Sequence, residues 1–174
     1  MRKNTLLLIV LSSLLFSLNL ASSFGQEEYA NALQAAKTGD REFAFMNFLY
    51  VARNDPSSTH REKGIFATGE YYYLSSNYTD AFNTFKRFLN DYPDSKMKPF
   101  ALFYILKLAQ ILNEDTLAKE ITKQIINQER VILLFKKSKA YTFKSPLGMN
   151  YQLVHYIDRL EFYIDGKLHA QIFY

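Results

Sequence analysis

Few residues in this sequence have the types and spacing that catalysis or metal binding requires. His155 and Asp158 are three residues apart, but this pair alone does not make a metal site, and a structural or surface histidine is expected. His60 stands beside a helix-capping pattern and is expected to face water. The sequence contains no glycine-rich phosphate loop, nucleophile elbow or zinc-ligand motif. It therefore names no catalytic residue, no metal site and no cofactor.

A second chemical feature is a basic stretch between residues 130 and 144. It contains five basic residues, and no acidic residue follows until Asp158. Such a stretch attracts anionic lipid or an acidic partner through long-range attraction that salt screens. The alternative is a solvated loop. The candidate residues for contact with an anionic surface are Arg130, Lys136, Lys137, Lys139 and Lys144.

The first 25 residues have the composition of an export signal. Two basic residues precede an uncharged apolar run, Thr5–Leu20, and small residues follow it. Cleavage is expected after Ser23 or Gly25, and the alternative is a retained anchor helix. The formal net charge of the whole chain is +4, and removal of the two basic residues leaves it nearly neutral. Export argues against a nucleic-acid partner. Because the chain has no cysteine, core burial must stabilise the fold without disulfides.

Hydrophobic periodicity predicts a mainly helical fold. Apolar residues recur at spacings of three and four, as in Ile121, Ile125 and Ile126. Asp40 is the predicted cap of the second helix, and Thr59 with Glu62 forms a predicted capping box for the third. Six helices are expected: Glu27–Lys37, Asp40–Arg53, Thr59–Ser75, Thr79–Asp91, Ser95–Leu112 and Asn113–Gln128.

Part of the helical pattern recurs after 37 residues. The sequence NDPSS at Asn54–Ser58 matches DYPDS at Asp91–Ser95, and three upstream residues match residues in the second copy: Ala44 and Ala81, Phe45 and Phe82, Phe48 and Phe85. A third copy, around Ala118, is degenerate. Recurrence at this length is typical of stacked helix pairs, each of which needs a neighbour to bury its apolar face.

The second copy resembles the tetratricopeptide repeat (TPR). The matching residues are Gly69, which leaves room for the partner helix, and Tyr72, Ala81, Phe85 and Pro93. The usual tryptophan is missing, and the period of 37 exceeds the usual value of about 34. The longer connection and the sequence RFLNDYPDS are similar to the BamD and YbgF repeat families of the bacterial envelope. The resemblance covers about Gln26–Glu129, and the lack of a cysteine after the leader departs from the lipid-anchored BamD family.

This resemblance implies a surface for a partner. In the TPR family the first helix of each pair lines a concave face, and aromatic residues beside charged and amide groups suit capture of a peptide or a partner helix. The alternative is that the two phenylalanines in this set belong to the core between repeats. The residues that match the concave face are Phe66, Glu70, Tyr73, Phe103, Lys107 and Gln110.

The pattern changes near the C-terminus. Val131–Phe135 is too short to classify, and Lys136–Asn150 is expected to be a loop. Leu160–Ile164 and Leu168–Tyr174 alternate around Asp165-Gly166, which predicts a β-hairpin with a type I′ turn. The competing interpretation is a helix over Tyr151–Ile164. The apolar side of the hairpin is expected to cap the helix stack by covering Ile121, Ile125 and Ile126. That side would consist of Leu160, Phe162, Ile164, Leu168, Ala170 and Ile172.

The predicted organisation is a signal peptide (1–25), a TPR-like antiparallel helix-pair solenoid of about three repeats (26–129) and a C-terminal extension with a hairpin or helical cap (130–174). The family resemblance implies a non-catalytic adaptor for a protein or peptide partner in the bacterial periplasm or cell envelope. One alternative is a membrane-surface or polysaccharide-associated accessory protein that uses the basic stretch, with peripheral contact to anionic membrane. A second alternative is an enzyme whose site carries no recognisable motif.

Overall fold

The computed structural model of the protein describes residues 25–55, 57–135 and 140–174. Within these ranges six α-helices precede four β-strands, which confirms the mainly helical class and the number of helices. The predicted export signal lies outside the described residues, except for Gly25. The helices are α1 (25–38), α2 (Arg41–Asn54), α3 (Ser58–Leu74), α4 (Tyr78–Asp91), α5 (Lys98–Ile111) and α6 (Asp115–Phe135). The strands are β1 (Ala140–Lys144), β2 (Asn150–His155), β3 (Arg159–Ile164) and β4 (Lys167–Phe173).

Side-chain caps set the starts of α2 and α3. The Asp40 carboxylate accepts a hydrogen bond from the amide of Phe43 at 3.0 Å, as the sequence predicts. The capping box predicted for α3 is wrong, because Ser57 is the cap residue and its hydroxyl accepts from the amide of His60. Asp55 in turn accepts from the amide of Ser57 at 2.7 Å, and this bond fixes the chain just before the helix.

Small residues allow α3 to approach its neighbours closely. A Cβ atom placed on Gly69 would lie 2.8 Å from Cζ of Phe85 on α4, so the predicted role of this glycine is confirmed. A Cβ atom on Gly64 would lie 2.9 Å from the carbonyl oxygen of Phe48 on α2. Phe48 and Phe85, which are separated by one sequence period, are both fully buried. From α2 to α6 each helix packs against the next along the chain.

The last helix is longer than predicted. It was expected to end at Gln128, but it continues through the unclassified run Val131–Phe135. An apolar run of five residues is too short to separate helical from strand periodicity, so it cannot be assigned from its own composition.

The C-terminal segment is an antiparallel sheet with the strand order β1-β2-β3-β4. The predicted hairpin corresponds to β3 and β4, and both Asp165 and Gly166 have positive φ angles, of 48° and 75°, as a type I′ turn requires. The competing helix over Tyr151–Ile164 is wrong, because Tyr151 lies in β2 and pairs with both β1 and β3. The predicted loop over residues 136–150 is wrong in part, because Ala140–Lys144 forms an edge strand.

A bulge in β4 changes which side chains face the helices. Phe162 pairs with Ala170, but Tyr163 pairs with Leu168, so the register shifts between these two pairs. Leu168 consequently lies on the outer face and is exposed, which corrects its predicted place on the inner face. Ile172 is buried and Ala170 is partly buried, as expected.

The inner face of the sheet packs on α3 and α5. The ring of Phe162 stacks on that of Phe103 with centroids 4.4 Å apart, and the ring of Tyr151 lies 5.2 Å from that of Phe100 and 6.2 Å from that of Phe66. The sheet therefore covers the first helices of the second and third pairs. The sequence predicts that the C-terminal segment covers an apolar helical face on α6. Ile121 and Ile125 do lie in the same buried cluster as the sheet residue Phe162, and the aromatic contacts of the sheet fall on α3 and α5.

Candidate functional site

The structure places the predicted partner-binding residues in two environments. Phe66, Glu70 and Phe103 are buried, and they lie in the interface between the helices and the sheet. Tyr73 and Lys107 are partly buried, and Gln110 is exposed. The chain's own sheet thus occupies the part of the helical surface that the family resemblance assigns to a partner. Phe66 and Phe103 are therefore core residues, as the alternative interpretation of the sequence expects.

Glu70 is a fully buried carboxyl group at this interface. The hydroxyl of Tyr151 donates a hydrogen bond to Oε1 of Glu70, and the hydroxyl of Tyr104 lies 2.5 Å from that of Tyr151. Oε2 of Glu70 makes no hydrogen bond of ordinary geometry within the described residues. Burial raises the pKa of Glu70 to about 8, and interactions with Tyr151 and Ser145 oppose this rise only in part. The carboxyl group is therefore mainly protonated at neutral pH and can be held in an apolar core.

One open groove lies between α1, the start of α3 and the loop from β1 to β2. The cavity has a volume of about 580 Å³. Lys37, Lys63 and Lys144 line it, and none of the described residues that line it is acidic. We call this cavity the lysine groove. Its lining residues are Tyr29, Leu33, Ala36, Lys37, Lys63, Phe143, Lys144, Ser145, Pro146, Leu147 and Gly148.

Two elements hold the walls of the lysine groove in place. On α1, Tyr29, Leu33 and Ala36 lie at helical spacing and pack against the buried cluster of the first helix pair. Opposite them, Leu147 in the loop between β1 and β2 packs against the same cluster. This loop is a tight turn, because Gly148 has a φ of 88° and the amide of Met149 donates to the Ser145 hydroxyl at 3.1 Å.

The aromatic wall of the lysine groove is fixed by a contact chain from α1 to α3. The ring of Tyr29 stacks on that of His60 with centroids 4.3 Å apart, and Nζ of Lys63 lies 5.6 Å from the Tyr29 centroid. Nδ1 of His60 lies 3.0 Å from Oδ2 of the buried Asp55. His60 is therefore partly buried and bonded, which corrects the expectation that it faces water.

The structure describes only two of the five basic residues that were predicted to contact an anionic surface. Lys144 is exposed at the end of β1 and lines the lysine groove. Arg130 lies in α6, and Lys136, Lys137 and Lys139 lie outside the described residues. Sequence reasoning did not single out Lys37 or Lys63. The signal that could have identified them is the predicted stacking of helix pairs, which would bring the first helices of adjacent pairs side by side.

The structure separates His155 from Asp158. His155 is buried on β2, whereas the carboxylate of Asp158 is exposed in the following turn and pairs with Arg159 at 3.0 Å. Among the residues that the structure describes, no group of three or more metal-binding side chains could hold an ion. In the same ranges, no helix combines the length and the apolar character needed to cross a bilayer.

Comparisons with known proteins leave the site to be interpreted from its own geometry. The chain matches no protein-family model, and a search of curated proteins finds no match.

Proposed function

We propose that this protein is a non-catalytic adaptor of the TPR type that acts in the bacterial cell envelope and binds an acidic peptide segment of a partner protein in the lysine groove. The observation that carries the proposal is the meeting of three lysines, with no acidic residue among the described lining residues, around a partly apolar cavity of about 580 Å³. The predicted export signal supports the location, and the recurring helix pairs support the repeat type.

The chemistry of the lysine groove favours a peptide with carboxylates and at least one apolar side chain. Lys37, Lys63 and Lys144 supply ammonium groups from three different elements, so they can contact carboxylates spaced along an extended chain. Leu33 and Leu147 offer apolar surface between them. A cavity of this size is typical of sites that take a small ligand or a few side chains, whereas the interface with a whole domain is larger and flatter.

The position of the sheet explains why binding would be confined to this end of the molecule. The sheet packs on α3 and α5 through Phe66 and Phe103, so those parts of the first helices have no free surface. Beside the sheet, α1 and the beginning of α3 form one wall of an open groove. A partner that binds on the first helices would therefore meet the lysine groove.

The proposal can be tested by selecting peptides from a random display library with the purified chain. We expect the selected peptides to be rich in aspartate and glutamate, and their affinity to fall as salt is raised. Reversal of charge in Lys37→Glu, Lys63→Glu and Lys144→Glu together should weaken binding at least about tenfold, because three attractive contacts become repulsive.

A matched control carries the same number of charge reversals elsewhere. Lys86, Lys119 and Lys123 are exposed on α4 and α6, away from the lysine groove, and their replacement by glutamate alters net charge equally. This control should bind the selected peptides with nearly the affinity of the parent chain. Equal losses in both triple variants, or selected peptides without acidic enrichment, would contradict the proposal.

A further inference from the structure

The strand β1 forms an open and regular edge of the sheet. Within the described part of the chain, the backbone of β1 hydrogen-bonds only with that of β2. The opposite edge, β4, carries the bulge, and a bulge hinders the pairing of an edge with a further strand. β1 instead keeps one register over five consecutive pairs, from Ala140 with Val154 to Lys144 with Asn150. It is therefore the edge on which a further strand can form.

The hydrogen bonds beside β1 show which of its backbone groups face outward. In an antiparallel pair, residues that bond across the ladder alternate with residues whose N–H and C=O groups point away from the partner strand. The amide of Ser145 donates to the carbonyl oxygen of Met149 at 2.9 Å, so bonded positions recur at every second residue before Ser145. The outward N–H and C=O groups consequently belong to Ala140, Thr142 and Lys144, and all three residues are exposed.

This open edge borders the lysine groove. Phe143 and Lys144 both line the groove, although successive side chains of a strand point to opposite faces of a sheet. A cavity that contacts both must lie at an edge or an end of the strand, and no described residue of β2 lines it. The groove therefore lies on the free side of β1. Lys37 on α1 and Lys63 on α3 line the same cavity.

We propose that the acidic peptide segment binds by adding a fifth strand to the sheet along β1. This inference rests on the proposed function, which supplies the acidic partner, and it defines how the peptide is held. In strand addition, main-chain hydrogen bonds give affinity and alternate side chains give specificity. Every second side chain of the added strand would face the helices that carry Lys37 and Lys63. The peptide is therefore expected to carry carboxylates at positions i and i+2.

The test uses a capped six-residue synthetic peptide in which glutamate and valine alternate. One modified form is N-methylated at the glutamate amides, and a second form is N-methylated at the valine amides. Only every second amide of an added strand faces β1, so one form should bind at least about tenfold more weakly and the other should bind almost like the unmodified peptide. A shift of one residue cannot rescue the weaker form, because it turns the glutamates away from the lysines. Calorimetry with the full chain measures the affinities.

Variants of Thr142 test the same contact from the side of the protein. Thr142→Pro removes an outward amide, and a proline at such an edge position leaves the ladder with β2 intact. The variant should bind the unmodified peptide about tenfold more weakly. Thr142→Ala keeps the amide and serves as the matched control, with the affinity of the parent chain. Thermal unfolding checks that both variants are folded, and the methylated peptides test the parent chain without any substitution.

The outcomes separate strand addition from the proposed function. Equal affinities of the two methylated forms, with binding lost when the three lysines are reversed in charge, would overturn strand addition and leave the acidic-peptide function in place. A parent chain that binds neither this peptide nor acidic peptides from the library would contradict both. Dimers that disappear in Thr142→Pro, in a chain that binds no peptide, would instead assign the edge to a second copy of the chain.

Discussion

The hydroxyl of Tyr151 on β2 donates a hydrogen bond to the buried carboxyl group of Glu70 on α3, across 81 positions of sequence. Aromatic rings surround this bond, and the hydroxyl of Tyr104 on α5 joins it at 2.5 Å from that of Tyr151. A polar contact in such surroundings must be satisfied or it destabilises the fold. The bond therefore specifies how the sheet sits on the helices as well as contributing to stability.

The first prediction concerns pH. Burial raises the pKa of Glu70 to about 8, whereas an ordinary glutamate releases its proton near 4.5. Between these two values unfolding releases a proton, so the free energy of unfolding should fall as pH rises from about 4.5 to about 8, by at most on the order of 5 kcal/mol. Above the folded-state pKa of Glu70, this group causes no further change in the free energy of unfolding. Denaturant unfolding measured at each pH unit from 5 to 9 checks the slope.

Glu70→Gln separates this effect from the other titrating groups. Glutamine keeps an oxygen that can accept from Tyr151 but does not titrate, so the variant should lose stability less steeply between pH 5 and 8. Glu120→Gln, at an exposed position of α6, serves as the matched control and should keep the slope of the parent. A Glu70→Gln slope equal to that of the parent would refute the assignment.

A second prediction concerns the two tyrosines. Tyr151→Phe removes the donor to Glu70 and should destabilise the protein by about 1–3 kcal/mol, because a buried carboxyl group loses its partner. Tyr104→Phe removes only the outer bond of the chain and should cost less. Midpoints of urea unfolding for the two variants and the parent give the order. A larger loss of stability in Tyr104→Phe than in Tyr151→Phe would show that the bond to Glu70 is not the main stabilising contact.

A third prediction concerns the approach of α3 to α4. Gly69→Ala should destabilise the protein by about 1–3 kcal/mol, because the new methyl group would meet the ring of Phe85 at 2.8 Å. Phe85→Leu removes the opposing ring atoms, so the double variant should lose less than the sum of the two single losses. Thermal unfolding of the four proteins completes the cycle. Strictly additive losses would mean that the contact is not the cause.

A fourth prediction concerns the sheet as a cover. Truncation after Phe135 would uncover the rings of Phe66, Phe100 and Phe103, so the shortened chain should self-associate and bind a dye specific for exposed apolar surface. Size-exclusion chromatography and dye fluorescence measure both effects. A shortened chain that remains monomeric and melts like the longer one would contradict this role.

Local patterns predicted the elements that local chemistry determines. The hairpin between β3 and β4 follows from Asp165-Gly166, since few other residue pairs adopt two consecutive positive φ angles. The start of α2 follows from Asp40. By contrast, β1 is a five-residue edge strand, and the alternation of Tyr141 and Phe143 within it was too short to separate from a loop.

Contacts between distant residues could not be predicted in the same way. Nothing near Glu70 in the sequence marks it as buried, because the residue that pairs with it belongs to a strand far along the chain. The lysine groove likewise combines Lys37, Lys63 and Lys144 from three elements, and only the packed structure shows that they line one cavity. The bulge that turns Leu168 outward depends on the pairing of β4 with β3 and has no separate sequence signal.

Because Glu70 and Tyr151 are far apart along the chain, the helices are synthesised well before the strands that cover them. A growing chain emerges from its N-terminus, so α3 and α5 exist before the strands that cover them. During that interval Phe66 and Phe103 face solvent, and the contacts that bury them close long loops, which makes their formation slow. The nascent protein therefore passes through a stage with an uncovered aromatic surface, where a chaperone could hold it and where arrested translation would leave it prone to aggregate.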